Sequence, residues 1–298
     1  MSEKRELHLV FGSSSDEEKV LPGIINFSRE HPETGIEIIY ASADNTPNKV
    51  KTFVDSRRAR SLIEPFVWMS GAGLSNVLTG VLKSGSGIYD LNLGIPIGDS
   101  SSDGVSSFLS TSEKPPRNPV LTVGLNNSYT AINIANRFLD GLIGVAVIGQ
   151  FCEQGDTDRS RARAVESLVK KLDEVSLPHR ICYSGDVSSK EVAINLFGAS
   201  QSKRIRTSDS LIQNNGAVQL AVPYTNIKSF DIVQYAHLLD TTKATGTVSS
   251  YDNAVLMAAI LTRNNPVIDK INSEKQAKAK KLEEHQGLLV KGGEVYKQ

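Results

Sequence analysis

The segment Gly12-Ser13-Ser14-Ser15-Asp16 concentrates more usable chemistry than any other stretch of this chain. It follows a strand-like apolar run, Leu7-His8-Leu9-Val10-Phe11, and precedes a helical pattern. A Gly/Ser turn between a strand and a helix presents backbone N–H groups and hydroxyls to an anion, at the positive end of the helix dipole. Asp16 repels a phosphate but accepts hydrogen bonds from ribose hydroxyls. Ser, Gly and Asp are also ordinary helix N-cap residues, so the segment alone leaves both readings open.

The elements that position this turn follow from hydrophobic patterning. Strands are expected at His8–Phe11, Ile36–Ala41, Pro65–Ser70, Ile95–Ile97 and Val120–Gly124. Helices are expected at Glu17–Glu30, Pro47–Arg60, Ser75–Lys83, Val105–Leu109 and Ser128–Leu139. Such alternation argues for a parallel sheet with helices on both faces, with ligands at the carboxyl ends of the strands. The pattern then restarts with a strand at Leu142–Gly149, a helix at Asp158–Glu174, a strand at Pro178–Tyr183 and a helix from Ser188. Ala221-Val222-Pro223-Tyr224, Thr245–Ser250 and a helix from Tyr251 echo Gly94-Ile95-Pro96-Ile97, Pro119–Gly124 and the helix at Tyr129. Two diverged copies of one domain are inferred, at residues 1–140 and 141–262, joined by the short Leu139–Leu142 segment and therefore packed rigidly. Residues 263–298 read as a charged C-terminal helix (Val267–Val290) and tail, whose apolar content suggests docking on a neighbouring subunit.

Composition excludes several classes. The chain has 33 basic and 33 acidic residues, so it has no net attraction to nucleic acid or an anionic membrane. No apolar run reaches the ~18–20 residues of a membrane span, and Met1 to Arg5 lead into no apolar signal core. Cys152 and Cys182 lack metal-type spacing and read as small buried hydrophobes in a reducing compartment. A cytoplasmic protein is expected. There is no His/Cys/Asp cluster with ligand spacing, no Walker-type lysine and no full dinucleotide fingerprint, so no metal or cofactor is expected.

The first half resembles the PurE family, the aminoimidazole ribonucleotide carboxylases and carboxyaminoimidazole ribonucleotide mutases of purine synthesis. The family's Gly-Ser-x-Ser-Asp loop is matched by Gly12 to Asp16. Its Ser-Ala-His-Arg-Thr-Pro-x-Lys is matched in frame by Ser42-Ala43-Asp44-Asn45-Thr46-Pro47-Asn48-Lys49. A Gly-Ala-Gly segment falls at Gly71-Ala72-Gly73-Leu74-Ser75-Asn76. The Gly-Val-Pro and Ser-Gly-Val-Asp-Ser-Leu stretches fall at Gly94-Ile95-Pro96 and Asp103-Gly104-Val105-Ser106-Ser107-Phe108. These four motifs lie in order across roughly residues 6–139.

The resemblance implies a flavodoxin-like three-layer fold in two tandem copies, and a homo-oligomer, commonly an octamer, which four tandem chains would complete. It implies nucleotide contacts from Gly12, Ser13, Ser15, Asp16, Ser42, Asn45, Gly71, Ala72, Gly73 and Asn76, with Asp44 at the catalytic position. The family's histidine, which shuttles a proton as carbon dioxide moves to the imidazole carbon, is replaced by Asp44, and its phosphate-binding arginine by Asn45. Asn76 stands near a second family histidine. Imidazole titrates near neutral pH, about 6.5, whereas a carboxyl near 3.9 would need burial to raise it by roughly 2–3. Asn45 lacks the guanidinium fork. Two readings follow: a carboxylase or mutase with altered proton chemistry, or an inactive nucleotide-binding or structural paralogue assembling with itself or an active homologue.

The second copy offers Gly149-Gln150-Phe151-Cys152-Glu153 and Ser184-Gly185-Asp186 at the first two loop positions. Asp156 or Asp158 stands for the ribose-binding carboxylate, and Asp186 parallels Asp44 as a new shared residue or a helix cap. His237 is the one histidine near a pocket-forming region, and Lys203-Arg204-Ile205-Arg206 is a source of phosphate charge or a solvated loop. His8, His31, His179 and His285 read as structural or solvated.

Overall fold

The computed structural model describes residues 6–61, 66–73, 76–99, 102–148, 157–182, 187–199, 205–206, 217–223, 244–283, 288–291 and 294–297. The first half contributes β1 (Glu6–Phe11), α1 (Glu17–Glu30), β2 (Gly35–Tyr40), α2 (Pro47–Ser61), β3 (Val67–Ala72) and α3 (Val77–Gly85). It continues with β4 (Leu91–Pro96), α4 (Ser102–Ser112), β5 (Leu121–Thr122) and α5 (Ser128–Asp140). Its strands lie in the order β2-β1-β3-β4-β5, all parallel, which is the flavodoxin-like doubly wound arrangement. β3 and β4 read as continuous apolar runs because helices cover both faces: Val67, Trp68 and Met69, then Leu91, Leu93 and Ile95, are all buried.

After α5, Gly141 turns the chain at φ +91, a conformation glycine adopts without strain. The second half contributes β6 (Gly144–Ile148), α6 (Thr157–Val175), β7 (Arg180–Cys182), β8 (Glu191–Ala199) and β9 (Ile205–Arg206). It ends with β10 (Val218–Pro223), β11 (Thr245–Thr247) and α7 (Tyr251–Leu261). β7, β6, β8, β10 and β11 are again mutually parallel and follow the same spatial order as β2, β1, β3, β4 and β5. β5 and β11 meet antiparallel at Thr122 and Thr247, so one sheet runs through the chain and its two halves point in opposite directions. The seam is close: a Cβ on Gly246 would sit 2.6 Å from Leu121. One hydrophobic core spans it, from Leu9 and Phe11 to Val218 and Leu220.

One expectation fails and another holds in part. The helix predicted from Ser188 is instead a turn at Ser189 and Lys190 followed by β8. Val192, Ala193, Ile194, Leu196 and Phe197 are buried on both strand faces, a continuous apolar run that periodicity does not distinguish from a buried helix. The helix predicted over Val267–Val290 is α8 (Asn265–Glu283), followed by the antiparallel pair β12 (Leu288–Lys291) and β13 (Glu294–Lys297). α8 lays Val267, Ile268 and Ile271 into this chain's own core. Among the described residues no helix is long and apolar enough to cross a membrane.

Candidate functional site

The carboxyl ends of β1, β2, β3 and β4 converge on a cleft of about 540 Å³ lined by residues at or just after each of them. It is built from Gly12, Ser13, Ser15 and Asp16 after β1, Ser42, Asp44 and Asn45 after β2, and Ala72 and Gly73 after β3, with Lys19, Ile97 and Gly98 completing it.

The first loop is held by its own hydrogen bonds. Gly12 N donates to Gly71 O at 3.0 Å, and a Cβ on Gly12 would press on the Ala72 methyl at 3.2 Å. Ser13 caps the short 3-10 turn Ser14–Asp16, its Oγ accepting from Ser15 N at 3.1 Å and lying 2.7 Å from Ser15 Oγ. Asp16 N donates to Ser13 O. Burial raises the Asp16 carboxyl above its ordinary value, opposed by the Ser13 backbone hydrogen bond and by Lys19. In the second loop Ser42 Oγ accepts from Asn45 N at 3.1 Å, and Ser42 N donates to Thr46 Oγ1 at 2.8 Å. Pro47 then opens α2 at the position where a missing N–H costs nothing. Asp44 and Asn45 are left exposed at the rim.

The floor is fixed from behind. Ser107 Oγ donates to Ala72 O at 2.7 Å and accepts from Ile97 N at 3.0 Å, joining α4 to the ends of β3 and β4. A Cβ on Gly104 would lie 1.9 Å from Asp99 O, so only glycine lets α4 approach this loop. Asn126, at φ +59, grips Gly98 through both amide atoms at 3.1 and 2.7 Å.

Of the residues singled out in the sequence, Gly12, Ser13, Ser15, Asp16, Ser42, Asp44, Asn45, Ala72 and Gly73 line this cleft. Gly71 and Asn76 do not. Gly71 sits beneath it against Phe11 and Ile97. Asn76 is fully buried and caps α3: its Oδ1 accepts from Thr79 N and Thr79 Oγ1, and its Nδ2 donates to Thr111 Oγ1 at 2.9 Å. Lys19 was missed, although a residue one helical turn beyond Asp16 faces the same side of α1. It is the lining's one cation among the described residues and pairs with Asp99 at 3.1 Å.

No histidine lines the cleft among the described residues. His8 is buried against Glu37 at 2.6 Å, His31 stacks on Phe27, and His179 Nδ1 contacts Leu177 O. Cys182 is buried, as read from the sequence. His237, His285, Lys203, Arg204, Asp186, Asp156, Cys152 and the Gly149–Glu153 loop lie outside the described residues, and Asp158 has no described side chain. Among the described residues no group of three His, Cys, Asp or Glu could hold a metal ion.

Residues 6–141, which carry the whole cleft, match the family model described as AIR carboxylase. An N5-carboxyaminoimidazole ribonucleotide mutase of Pyrococcus horikoshii is 31% identical over 58% of this chain and 92% of its own length. The chain belongs to the AIR carboxylase family. A mutase of the same name from Methanocaldococcus jannaschii is 30% identical over 55% of this chain and 97% of its own. A phosphoribosylaminoimidazole carboxylase of Schizosaccharomyces pombe is 30% identical, with 27% of its length matched. In this AIR carboxylase family member the motif around Gly104 and Ser107 is thus part of the cleft's support, and the Gly12–Asp16 and Ser42–Asn45 turns form its walls.

Proposed function

We propose that this chain binds an aminoimidazole ribonucleotide-like nucleotide in the cleft and acts in purine synthesis of the type its relatives' names describe. The observation that carries the reading is the convergence of Ser13, Ser15, Asp16, Ser42, Asp44 and Asn45 on one cleft from two loops. Ser13 and Ser15 face the phosphate with their hydroxyls, Asp16 accepts from the ribose hydroxyls, and Gly73 lets the heterocycle lie close to the backbone. Moving a carboxyl group onto the imidazole carbon requires that the proton on that carbon be accepted and returned. Asp44, in the place of the family's histidine, is assigned that role, and Asn45 replaces the family's arginine with a neutral contact.

A second reading, binding without turnover, is favoured by one observation. Asp44 is exposed at the rim, so this chain alone does not enclose the proposed proton carrier. We further propose that residues 141–262 are a diverged copy of residues 1–140, supported by the repeated strand order, and that the chain assembles with itself.

Thermal unfolding with aminoimidazole ribonucleotide and its carboxylated forms, followed by absorbance for carboxyl transfer, tests these readings. Ligand at a hundred times its dissociation constant adds about 2.7 kcal/mol. Stabilisation with turnover, both lost in Asp16→Ala, is expected for the enzyme. Stabilisation without turnover selects the second reading, and no stabilisation by any of these nucleotides overturns both.

A further inference from the structure

Away from the cleft, where α8 packs against the first half, cations outnumber carboxylates around a small cavity. The cavity is about 30 Å³ and is lined by Lys83 at the end of α3, Arg117 after α4, and Asn272 and Lys275 on α8, over an apolar floor including Ile260 and Ile268. We propose that Lys83, Arg117 and Lys275 bind a small planar oxyanion, of formate size, that ties α8 to the first half. This site is independent of the nucleotide reading.

Each group has donor capacity that the protein leaves unused. Among the described residues Lys83 Nζ makes one hydrogen bond, to Ser86 Oγ, and at 3.5 Å it is at the limit for such a contact. Arg117 pairs with Glu274 through Nη2 at 2.7 Å, while its Nη1 is buried with no hydrogen-bond partner. Lys275 donates to the neutral Asn118 Oδ1 at 2.5 Å. The nearby Asp90 does not discharge Lys83, because its oxygens accept from Phe66 N, Trp68 Nε1 and Gly87 N. Glu274 is therefore the one carboxylate bonded to any of the three cations among the described residues, and it is engaged by Arg117. Incompletely paired charges in such surroundings are costly, and an anion shared by the three lowers that cost.

The ammonium of Lys83 already registers the strain: burial, and then the neighbouring Lys275, push it down to about 8, with Asp90 opposing. Burial also lowers Lys275. Size selects the ligand. A water needs about 10–15 Å³ of such space, so the cavity admits two or three non-hydrogen positions beyond the first contacts. A planar three-atom oxyanion such as formate fills that space, bicarbonate exceeds it by one atom and tetrahedral phosphate by two.

The test uses the full chain in chloride-free buffer at pH 7 and constant ionic strength, with sodium formate, bicarbonate, chloride or phosphate added. Formate, and bicarbonate more weakly, should raise Tm in a saturating manner, by on the order of 5 °C at a hundred times the dissociation constant. Phosphate should not, and chloride, a single sphere that cannot bridge the three donors through separate oxygens, should respond at least tenfold more weakly. Lys83→Met and Lys275→Met should each weaken the response at least tenfold, and affinity should fall as pH rises through the Lys83 value, where the ammonium is lost. If Lys83→Met fails to fold, Lys275→Met on the partly exposed helix surface carries the test. Equal responses to all four anions, or responses unchanged in the variants, would mean screening alone and overturn the site.

Discussion

The two halves of this chain arrange five strands in one order and use the ends of those strands differently. In the first half β2 connects to β3 through residues 41–66, which include α2, and the ends of β1 to β4 open onto the cleft. In the second half only residues 187–190 of the 183–190 connection are described, and that span is too short for a helix like α2 between β7 and β8. β8 then runs on past its sheet partners to pair antiparallel with β9 at Gly198 and Ala199. Arg180 and Glu191 clasp across this short connection, with both guanidinium contacts at 2.7–2.8 Å. Strand order is set by burial of apolar runs, which both halves retain. A cleft depends on loop length and on small residues at strand ends, which can change without disturbing that order.

The comparison is most easily broken at Gly104. In Gly104→Ala the new methyl group would collide with the Asp99 carbonyl, forcing α4 away from the cleft floor. A loss of roughly 3–5 kcal/mol is expected in urea unfolding, and nucleotide stabilisation should disappear with it. Next in size is Asn253, which ties α7 of the second half to the first. Its Oδ1 accepts from Asn118 N, and its Nδ2 donates to Lys114 O, Pro115 O and Ser249 Oγ. Asn253→Ala should cost about 2–4 kcal/mol, because buried backbone groups lose their partners, and should split a single unfolding transition in calorimetry if this contact couples the halves.

Lys19→Ala sharpens the functional side of the comparison. If Lys19 supplies charge that Asn45 lacks, nucleotide affinity should fall about three- to tenfold, with stability nearly unchanged because its pair with Asp99 is exposed. The smallest effect belongs to Glu191→Gln. The Arg180 contact, ahead of the Ser188 N–H, holds the Glu191 carboxyl below its ordinary value, against an opposing contribution from burial. A depressed acid stabilises the fold above its unfolded value, and that contribution is lost as pH falls through the folded one. The variant should therefore lose about 0.5–1 kcal/mol at pH 7, discounted for the half-exposed arginine, and differ little from the parent at strongly acid pH.

Patterning made much of the first half legible. α1 matches its expected span at both ends, because Val20, Ile24 and Phe27 fall on one face at helical spacing. α7 begins at Tyr251, where the echo of α5 placed it, and β10 ends at Pro223 within the echoed Ala221–Tyr224 segment, as β4 ends at Pro96. The β8 segment was misread because strands buried on both faces lack the alternation that marks a half-exposed strand.

Local sequence by itself determined where the chain bends, which runs must be buried, and that polar Gly/Ser turns follow β1 and β3, because these depend on neighbours a few residues apart. The tertiary structure decided that β5 and β11 meet antiparallel, so that the halves face opposite ways. It decided that Asn76 is a buried cap while Lys19 enters the cleft. It also brought Lys83, Arg117 and Lys275 from three separate segments to one cavity. Each of these outcomes depends on contacts between residues far apart in the chain, whose pairing is selected by packing the whole core and leaves no periodic trace in the local sequence.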